Sequence, residues 1–401
     1  MNVINEPWWQ RESLAYRNGR LNFCQRDVAD LATAFKEPLF LYEAQRPAQK
    51  LQSLERALQR RAIPYRLYYA MKANRFPPLL CHLRESGEYG LDVCSPEELY
   101  AALACGYRPE QISYTAHGMA QSDARLLAAF PQVAVNCDTM SALRCLGRLG
   151  RGREIGLRIN PGIGIGYADS EKLSYAGQRT TKFGIYQEQF DEALALAHEY
   201  GLKVIRLHCH AGCGYLDSQL DSFENVLEAL ACFFEKLPEL QEVNLGGGLG
   251  LPHRADECAL DLERWASLIQ KHIASRGVRV LLEPGDFIVK DAGMLVLRVN
   301  YLETKRDTLF AGLDGGFNLA IEPAFYDMPC EPAPCVLRPG EPQRMTLAGN
   351  INEALDIWAA DVRLSPLEEG DFVALLNAGG YAASMSSNHC MRGSYRELLL
   401  C

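Results

Sequence analysis

The chain has 401 residues, of which 48% are hydrophobic and 23% are charged, and its formal net charge is −9 at pH 7. This length and apolar content predict a globular protein with a large core and two domains. The net negative charge and the absence of a basic run argue against nucleic acid or an anionic membrane as a partner.

The sequence shows no segment typical of export or membrane insertion. Residues 1–11 lack the apolar stretch of a signal peptide, and no run approaches the roughly 20 apolar residues that span a bilayer. The 14 cysteines are scattered, without a CxxC pair or zinc-type spacing. Such cysteines are typical of reduced thiols, so we expect a cytoplasmic protein without a metal site.

The first part of the chain predicts little regular structure. Residues 1–35 are polar and mixed in composition, and the first apolar segment is a short strand at 39–42. A helix is predicted over 47–61, because Leu51, Leu54 and Leu58 recur at helical spacing.

From residue 68 onward, short apolar strands alternate with amphipathic segments. Helical patterns include 96–105, 188–200 and 217–236. Eight β-strands that alternate with helices over about 250 residues are the pattern of a (β/α)8 barrel, an α/β fold. The eight strands are predicted over 68–72, 91–94, 112–116, 133–137, 155–160, 205–210, 243–247 and 280–284.

The helical period is largely lost after residue 289. Strand-like runs at 293–299, 344–348, 371–376 and 396–399 alternate with turns rich in glycine and proline. We therefore predict a barrel over 45–289 and a C-terminal β domain over 290–401, to which the N-terminal segment 1–44 contributes. The polar insert at 165–183 is long enough to serve as a mobile lid.

Lys72 ends the first predicted barrel strand, and barrel chemistry gathers at the carboxyl ends of strands. Lysine is rare in an apolar run. Burial would lower its pKa and leave an amine able to form a Schiff base with an aldehyde. The alternative is a lysine that reaches solvent past the strand. Other predicted strand ends carry Asp92, Arg158, His210, Gly246 and Glu283.

A glycine loop and a carboxylate follow two of the later strands. The backbone of Gly246, Gly247 and Gly248 could cradle a phosphate, although glycines also form tight turns. The sequence lacks a P-loop motif and a GxGxxG turn, which argues against nucleotide hydrolysis and dinucleotide binding. Glu283 is either a strand-end salt bridge or the partner of a pyridinium nitrogen.

His208 and His210 lie two residues apart on one strand, so zinc is conceivable. No third ligand is evident nearby, and His210 is alternatively a core histidine or a flat surface for a cofactor ring.

Six motifs occur in an informative order along the chain. They are Tyr69–Asn74, His208–Gly212, Gly246–Gly248, Glu283–Gly285, Asn377–Tyr381 and Ser384–Asn388. Together they resemble fold-type III pyridoxal-phosphate-dependent decarboxylases, the diaminopimelate, ornithine and arginine decarboxylase group, over nearly the whole chain. This resemblance implies an alanine-racemase-type barrel, pyridoxal 5′-phosphate as cofactor, and a homodimer with shared active sites.

The resemblance also implies roles for single residues. Lys72 would bind the cofactor aldehyde, Glu283 would bond the ring nitrogen, and His210 would stack on the ring. Glu353 and Tyr381 would be catalytic and would act across the dimer interface. Asp92 would lie near the lysine, Arg158 near the ring hydroxyl, and the phosphate would be held by Cys213, Gly246, Gly247, Gly248, Gly285 and Tyr381.

The chain departs from this family at two charged positions. Asp286 and Glu322 stand where the family commonly has arginines for phosphate or a distal substrate carboxylate. One like-charge contact at ~4 Å costs about 4 kcal/mol at an effective dielectric constant near 20, so diaminopimelate is disfavoured. The acids could instead contact a cationic tail, in a substrate pocket with Asp314, Tyr326, Asn352 and Glu353, or they could form ordinary salt bridges.

A third departure concerns proton delivery. Asn352 stands where the family commonly has a cysteine that contributes to protonation of the decarboxylated carbon. Asparagine can form hydrogen bonds but cannot deliver a proton in that way. Lys72, Tyr381 or water remains as the donor.

The sequence thus predicts a decarboxylase for an amino acid other than diaminopimelate, with a cationic or amide side chain. An alternative is a secondary-metabolism enzyme that acts on a conjugated or carrier-tethered amino acid, such as a siderophore precursor. A racemase and a regulatory pseudoenzyme without cofactor are further alternatives. The long β domain argues against the racemase, and the retained Lys72, His210 and Glu283 argue against the pseudoenzyme.

Overall fold

The computed structural model describes residues 7–177 and 179–401. These residues form two compact units. The barrel unit contains the described residues of Ala48–Leu251 and Cys258–Ile288. The β unit contains the described residues up to Pro47, the segment Pro252–Glu257, and Val289–Cys401.

The β unit begins with regular structure that the sequence reading did not predict. An antiparallel sheet of three strands precedes a short helix, which Asp27 caps by accepting a hydrogen bond from the Asp30 amide. The buried residues of this segment, among them Leu21 and Phe23, alternate with polar residues, so the sequence shows no clear apolar pattern here. The elements are β1 (Leu14–Arg17), β2 (Arg20–Phe23), β3 (Arg26–Asp27), α1 (Val28–Thr33) and β4 (Leu39–Glu43).

Eight parallel strands close into a barrel, which confirms the predicted fold class. Strand β12 pairs with β5 and closes the ring, whose order is β10-β11-β12-β5-β6-β7-β8-β9. The strands are β5 (Tyr65–Ala70), β6 (Gly90–Val93), β7 (Ile112–Tyr114), β8 (Ala134–Cys137), β9 (Glu154–Arg158), β10 (Lys203–His208), β11 (Glu242–Asn244) and β12 (Arg279–Leu282).

One boundary prediction is wrong in a way that matters for the site. Strand β5 ends at Ala70, and Lys72 lies in a 3-10 turn over Met71–Ala73. Met71 and Ala73 are buried in this turn. The turn therefore fixes the backbone on both sides of Lys72.

Helices precede, connect and follow the barrel strands. The helix predicted over 217–236 is divided at Leu230 into α8 and α9. Side-chain caps at Ser95, Thr139 and Asp261 start three of the helices. The helices are α2 (Gln45–Arg60), α3 (Pro77–Ser86), α4 (Pro96–Ala104), α5 (Gln121–Ala129), α6 (Met140–Gly147), α7 (Phe190–Glu199), α8 (Leu220–Ala229), α9 (Ala231–Phe234), α10 (Leu262–His272) and α11 (Asp286–Val289).

The C-terminal part of the β unit is a mixed sheet that incorporates the N-terminal strand, as predicted. Strand β4 pairs with both β13 and β19, and the remaining order is β15-β18-β13-β14-β16-β17. The elements are β13 (Gly293–Lys305), β14 (Thr308–Leu313), α12 (Glu322–Tyr326), β15 (Pro332–Pro334), β16 (Gln343–Ala348), β17 (Ile357–Leu364), β18 (Phe372–Leu375) and β19 (Arg396–Leu400).

Candidate functional site

Polar side chains gather at the carboxyl ends of the barrel strands. Asp92 lies in β6, Ser113 in β7, His208 ends β10, and Asn244 ends β11. Glu283 follows β12 directly. All five are buried, between 0% and 6% exposed. Buried polar groups are generally hydrogen-bonded, so each of these side chains is expected to have a partner.

Lys72 and Asp92 form an ion pair at this end of the barrel. The Lys72 Nζ atom lies 2.7 Å from Asp92 Oδ2. The Lys72 side chain is 44% exposed, whereas that of Asp92 is 1% exposed. The amine is therefore held in place by a buried carboxylate and is still accessible to an aldehyde.

The charges around this pair alter both pKa values. Burial alone would lower the pKa of Lys72, but the charge of Asp92 outweighs it and raises the pKa above its ordinary value. The sequence-based expectation of a lowered pKa for Lys72 is therefore wrong, because it considered burial without the carboxylate. Burial and the charge of Glu283 raise the pKa of Asp92 to about 7.

Glu283 accepts hydrogen bonds from three side chains. Ser113 Oγ and Asn244 Nδ2 donate to Oε1 at 3.0 and 2.6 Å, and His208 Nε2 lies 2.9 Å from Oε2. Burial alone would raise the pKa of Glu283, but the contact with His208, the charge of Lys72 and the Asn244 bond lower it below its ordinary value. Glu283 is therefore an anion at neutral pH.

His210 lies beside the glycine loop. The Gly247 amide is 3.4 Å from His210 Nδ1, and the ring of Tyr175 packs on His210 with centroids 4.9 Å apart. Burial, followed by the charges of Arg158 and Lys72, lowers the pKa of His210 well below its ordinary value. A neutral, flat ring is therefore available in this part of the site.

The glycine loop approaches the neighbouring strand ends too closely for side chains. A Cβ atom on Gly247 would lie 2.5 Å from the Glu283 carbonyl oxygen, and one on Gly248 would lie 2.5 Å from the Gly212 carbonyl oxygen. Gly246 and Gly248 also have φ values of 66° and 93°, which favour glycine. The loop thus brings its backbone next to Glu283.

Arg158 belongs to a second charged group in the barrel. Its guanidinium donates to Asp138 Oδ2 at 3.0 Å and lies over the ring of Phe183, 4.6 Å from the centroid. His117 Nδ1 lies 3.2 Å from Asp138 Oδ1. The Arg158 charge is therefore balanced within the protein.

The insert predicted over 165–183 is hydrogen-bonded to the loop that follows β10. The Ile165 amide donates to the Ala211 carbonyl, and the Tyr167 amide donates to the Cys213 carbonyl. The Cys213 amide donates in turn to Leu173. A lid role for this insert stays a prediction, and Gln178 lies outside the described residues.

The structure places the other predicted residues in both units. Cys213, Gly285 and Asp286 belong to the barrel unit, and Gly285 and Asp286 are buried. Asp286 takes part in at least one interaction with another group of the chain. The β unit holds Asp314, Glu322, Tyr326, Asn352, Glu353 and Tyr381.

Glu322 forms an ion pair within the β unit. Its Oε2 atom lies 2.5 Å from Nζ of Lys290, and the two side chains are 13% and 2% exposed. This is the salt-bridge alternative that the sequence reading left open for Glu322. Lys290 therefore cancels the negative charge of Glu322.

The other β-unit residues differ in exposure. The Asp314 carboxylate accepts a hydrogen bond from the Arg298 amide, and burial raises its pKa. Asn352 is exposed, and Glu353 Oε1 lies 3.2 Å from His389 Nε2. Tyr381 has a φ of 53°.

Two residues of the site, and the role of a third, were missed in the sequence. Ser113, Asn244 and the Glu283-binding role of His208 escaped notice because each lies inside or at the end of a short apolar strand. A signal was present, since a polar side chain in a fully buried strand needs a partner. Pairing these three with Glu283 would have identified the cluster.

A separate cluster has a geometry that could hold a metal ion. Ligand atoms of Glu224, Glu228 and His272 lie within 4.8 Å of one another. Lys271 Nζ already lies 2.7 Å from Glu224.

In the part of the chain that is described, no helix is long and apolar enough to cross a membrane.

The barrel residues fit pyridoxal phosphate. An accessible amine at Lys72 matches its aldehyde, and the buried anion Glu283 matches a protonated pyridine nitrogen. The backbone of the glycine loop lies next to Glu283, and side chains in place of its glycines would collide with the neighbouring backbone.

Comparisons with known proteins agree with this fit. Residues 48–290 match the family described as pyridoxal-dependent decarboxylase, pyridoxal binding domain. The chain is 32% identical over 394 residues to the diaminopimelate decarboxylase of Methanothermobacter thermautotrophicus, covering 95% of this chain and 91% of that protein. It is 30% identical over 401 residues to the Pseudomonas aeruginosa enzyme of that name, covering 97% and 94%.

A solved structure is similar over the same extent. The diaminopimelate decarboxylase from M. jannaschii in complex with L-lysine superposes with a TM-score of 0.88 at 26% sequence identity, covering 97% of this chain and 92% of that one. The family match spans more than half of the 401 residues. The chain therefore belongs to the pyridoxal-dependent decarboxylases.

Proposed function

We propose that the cluster of Lys72, Asp92, His210 and Glu283 is the cofactor site, at which an amino acid loses its α-carboxylate. The observation that carries this proposal is the buried Glu283 anion, which has three hydrogen-bond donors in the barrel that also presents the accessible Lys72 amine. When bound, pyridoxal phosphate supplies an electron-withdrawing ring that takes up the electron pair left by departing CO2.

In this proposal Lys72 would bind the cofactor aldehyde, and its Nζ atom would hold or move a proton. Asp92 orients the Lys72 amine through the 2.7 Å contact. Because the charge of Asp92 raises the pKa of Lys72, the free amine holds a proton at neutral pH and can act as an acid. Lys72 is therefore our first candidate for the proton donor that Asn352 cannot be.

The remaining roles rest on the resemblance and on position. His210 would offer a neutral ring to the face of the cofactor, and Glu283 would accept a hydrogen bond from the ring nitrogen. Arg158 contributes on the side of the ring hydroxyl. We assign phosphate binding to Cys213, Gly246, Gly247, Gly248, Gly285 and Tyr381.

For the substrate, we propose an amino acid without a second free carboxylate. Asp286 and Glu322 stand where the family commonly has arginines, so the cations that would hold such a carboxylate are missing. Because Lys290 neutralises Glu322, that acid has no spare charge for a cationic tail. We therefore favour an amide-bearing side chain, which includes the alternative of a conjugated amino acid.

Diaminopimelate is the second candidate, because the relatives at 28–32% identity are named as its decarboxylases. Measurement of CO2 release from a panel of L- and D-amino acids, their amide conjugates and meso-diaminopimelate distinguishes the two. We expect the highest kcat/KM for an uncharged or amide side chain. If diaminopimelate is the best substrate, our interpretation of Asp286 and Glu322 is wrong.

The cofactor assignment is tested by colour. Purified protein with pyridoxal phosphate should absorb in the yellow region, and Lys72→Ala should abolish this band. Lys271→Ala, which removes a surface lysine on α10 that is paired with Glu224, is the matched control and should keep it. A band that survives in Lys72→Ala would place the cofactor on another amine.

We also propose a homodimer with shared sites that acts in the cytoplasm. Large apolar side chains are exposed at Phe325, Leu355 and Met391 of the β unit. Leu355 and Met391 follow Glu353 and His389 by two residues each, and Glu353 and His389 contact each other. Grouped exposed apolar side chains favour a protein interface. All fourteen cysteines lie among the described residues and none of them forms a disulfide, which agrees with a reducing compartment.

Mixing two inactive variants tests the shared site. Lys72→Ala and Tyr381→Phe chains, refolded together, should recover up to about a quarter of the parent activity, because half of the dimers would carry one intact site. No recovery from a mixture that does form dimers would show that each site belongs to one chain.

A further inference from the structure

The groups that contact Glu283 are a hydroxyl, an amide and an imidazole. Ser113 and Asn244 donate to Oε1, and His208 contacts Oε2. Among residues 7–177 and 179–401, no lysine or arginine forms an ion pair with Glu283. A buried carboxylate is commonly paired with a cation. Because Glu283 has no lysine or arginine among these residues as a partner, its negative charge is available to a bound ligand.

The strand register fixes His208 beside this carboxylate. His208 pairs with Asn244 of β11 on one side and with Arg158 of β9 on the other. Its carbonyl accepts a hydrogen bond from the Ile159 amide at 2.8 Å. The His208 ring and the Asn244 amide therefore reach Glu283 from adjacent positions on neighbouring strands.

The surroundings of His208 select one protonation state. Nε2 must carry a proton to donate to the Glu283 anion. Nδ1 is buried and has no hydrogen-bond partner in the described part of the chain. A proton on Nδ1 would be a buried donor without an acceptor, which is costly. His208 is therefore the neutral Nε2–H tautomer, and burial lowers its pKa accordingly.

We propose that neutral His208 is a positioning residue, which orients Glu283 and leaves its negative charge available to the protonated ring nitrogen of the cofactor. The inference rests on the proposed cofactor site and extends it to a residue that does not itself contact the reacting atoms. A histidinium at the same place would neutralise Glu283 and weaken its attraction for a pyridinium. An uncharged donor fixes the geometry and preserves the charge.

A pair of ligands isolates the contribution of the ring nitrogen. Pyridoxine 5′-phosphate lacks the aldehyde and so cannot bond covalently to Lys72, and its 1-deaza analogue also lacks the nitrogen. The ratio of their dissociation constants, measured by calorimetry, reports the interaction between Glu283 and the nitrogen. The parent protein should prefer the pyridine.

Two substitutions at His208 separate donation from packing. His208→Gln places an amide N–H near the position of Nε2 and should retain most of the preference. His208→Phe keeps a ring but removes the donor, and should reduce the preference about tenfold or more, the range for a hydrogen bond to a charged group. A merely structural role would weaken both ligands equally and leave the ratio unchanged in His208→Phe, which would overturn the inference.

The outcomes also separate this inference from the proposed function. If neither ligand binds the parent protein, the cofactor site is wrong and the inference falls with it. If His208→Phe does not fold, nitrogen-15 NMR of histidine-labelled parent protein decides instead. A neutral Nε2–H signal for His208 at pH 7, absent from His208→Gln, supports the inference, and an imidazolium signal overturns it.

Discussion

The two units solve the problem of a buried carboxylate in opposite ways. In the β unit, Glu322 is paired with the buried cation Lys290 at 2.5 Å. In the barrel, Glu283 contacts Ser113, Asn244 and His208, and no lysine or arginine among the described residues forms an ion pair with it. In an ion pair each charge compensates the other, and the pair stabilises the fold only while both partners are present. A carboxylate that is bonded only to neutral donors keeps its negative charge, and this charge can attract a cationic ligand.

The largest expected effect follows from removing the charge at Glu283. Glu283→Gln retains the size of the side chain and one acceptor oxygen but cannot favour a protonated ring nitrogen. We expect kcat for decarboxylation to fall about 10²–10³-fold. Steady-state kinetics with the best substrate measure it.

Glu263→Gln is the matched control, since this carboxylate lies on α10 in an exposed pair with Arg60. It should leave kcat unchanged. A Glu283→Gln enzyme with normal kcat would remove the distinction between the two carboxylates.

The reverse result is expected in the β unit. Glu322→Gln removes the charge that lies 2.5 Å from the buried Lys290 ammonium, so the free energy of unfolding should fall by about 3 kcal/mol. Denaturant unfolding measures this loss. The double variant Glu322→Gln with Lys290→Met should recover most of the stability, because both members of this ion pair are then removed. An unchanged stability in the single variant would show that the pair contributes nothing.

A smaller effect concerns a buried histidine near this ion pair. Burial, followed by the positive charges of Lys290 and Arg254, lowers the pKa of His253 to about 3. A lowered pKa gives stability that is complete above the unfolded value of about 6.5 and is lost as pH falls toward 3. Between pH 7 and pH 5, the loss should be about 2 kcal/mol.

Unfolding of the parent and of His253→Asn at several pH values measures this slope. The variant should lose most of the pH dependence in this window, whatever its stability at pH 7. Substitution of the exposed His198 on α7 should leave the slope as in the parent. Equal slopes for parent and His253→Asn would show that His253 does not titrate in this way.

The same comparison shows how far the sequence could predict the structure. The eight barrel strands were predictable because strands buried on both faces are continuous apolar runs. The N-terminal strands β1 and β2 were not, because few of their residues are buried and their neighbours are polar. The 3-10 turn that carries Lys72 was also missed, because it continues the apolar run of β5.

The site was predicted in part for similar reasons. Strand-end positions indicated Lys72, Asp92, His210 and Glu283, whereas the donors Ser113 and Asn244 lie 170 and 39 residues from Glu283. Lys290 lies 32 residues before Glu322, so periodicity could not reveal their pairing. The pKa of Lys72 was predicted in the wrong direction because the contact with Asp92 depends on the pairing of β5 with β6.

The central claim is that Lys72 and the uncompensated charge of Glu283 hold one cofactor between them. A crystal structure of the protein with pyridoxal 5′-phosphate tests it most directly. The account predicts a covalent bond from Lys72 Nζ to the aldehyde carbon and a Glu283 oxygen within about 3.2 Å of the ring nitrogen. A ring nitrogen that faces away from Glu283, or a cofactor bound to a different lysine, would contradict it.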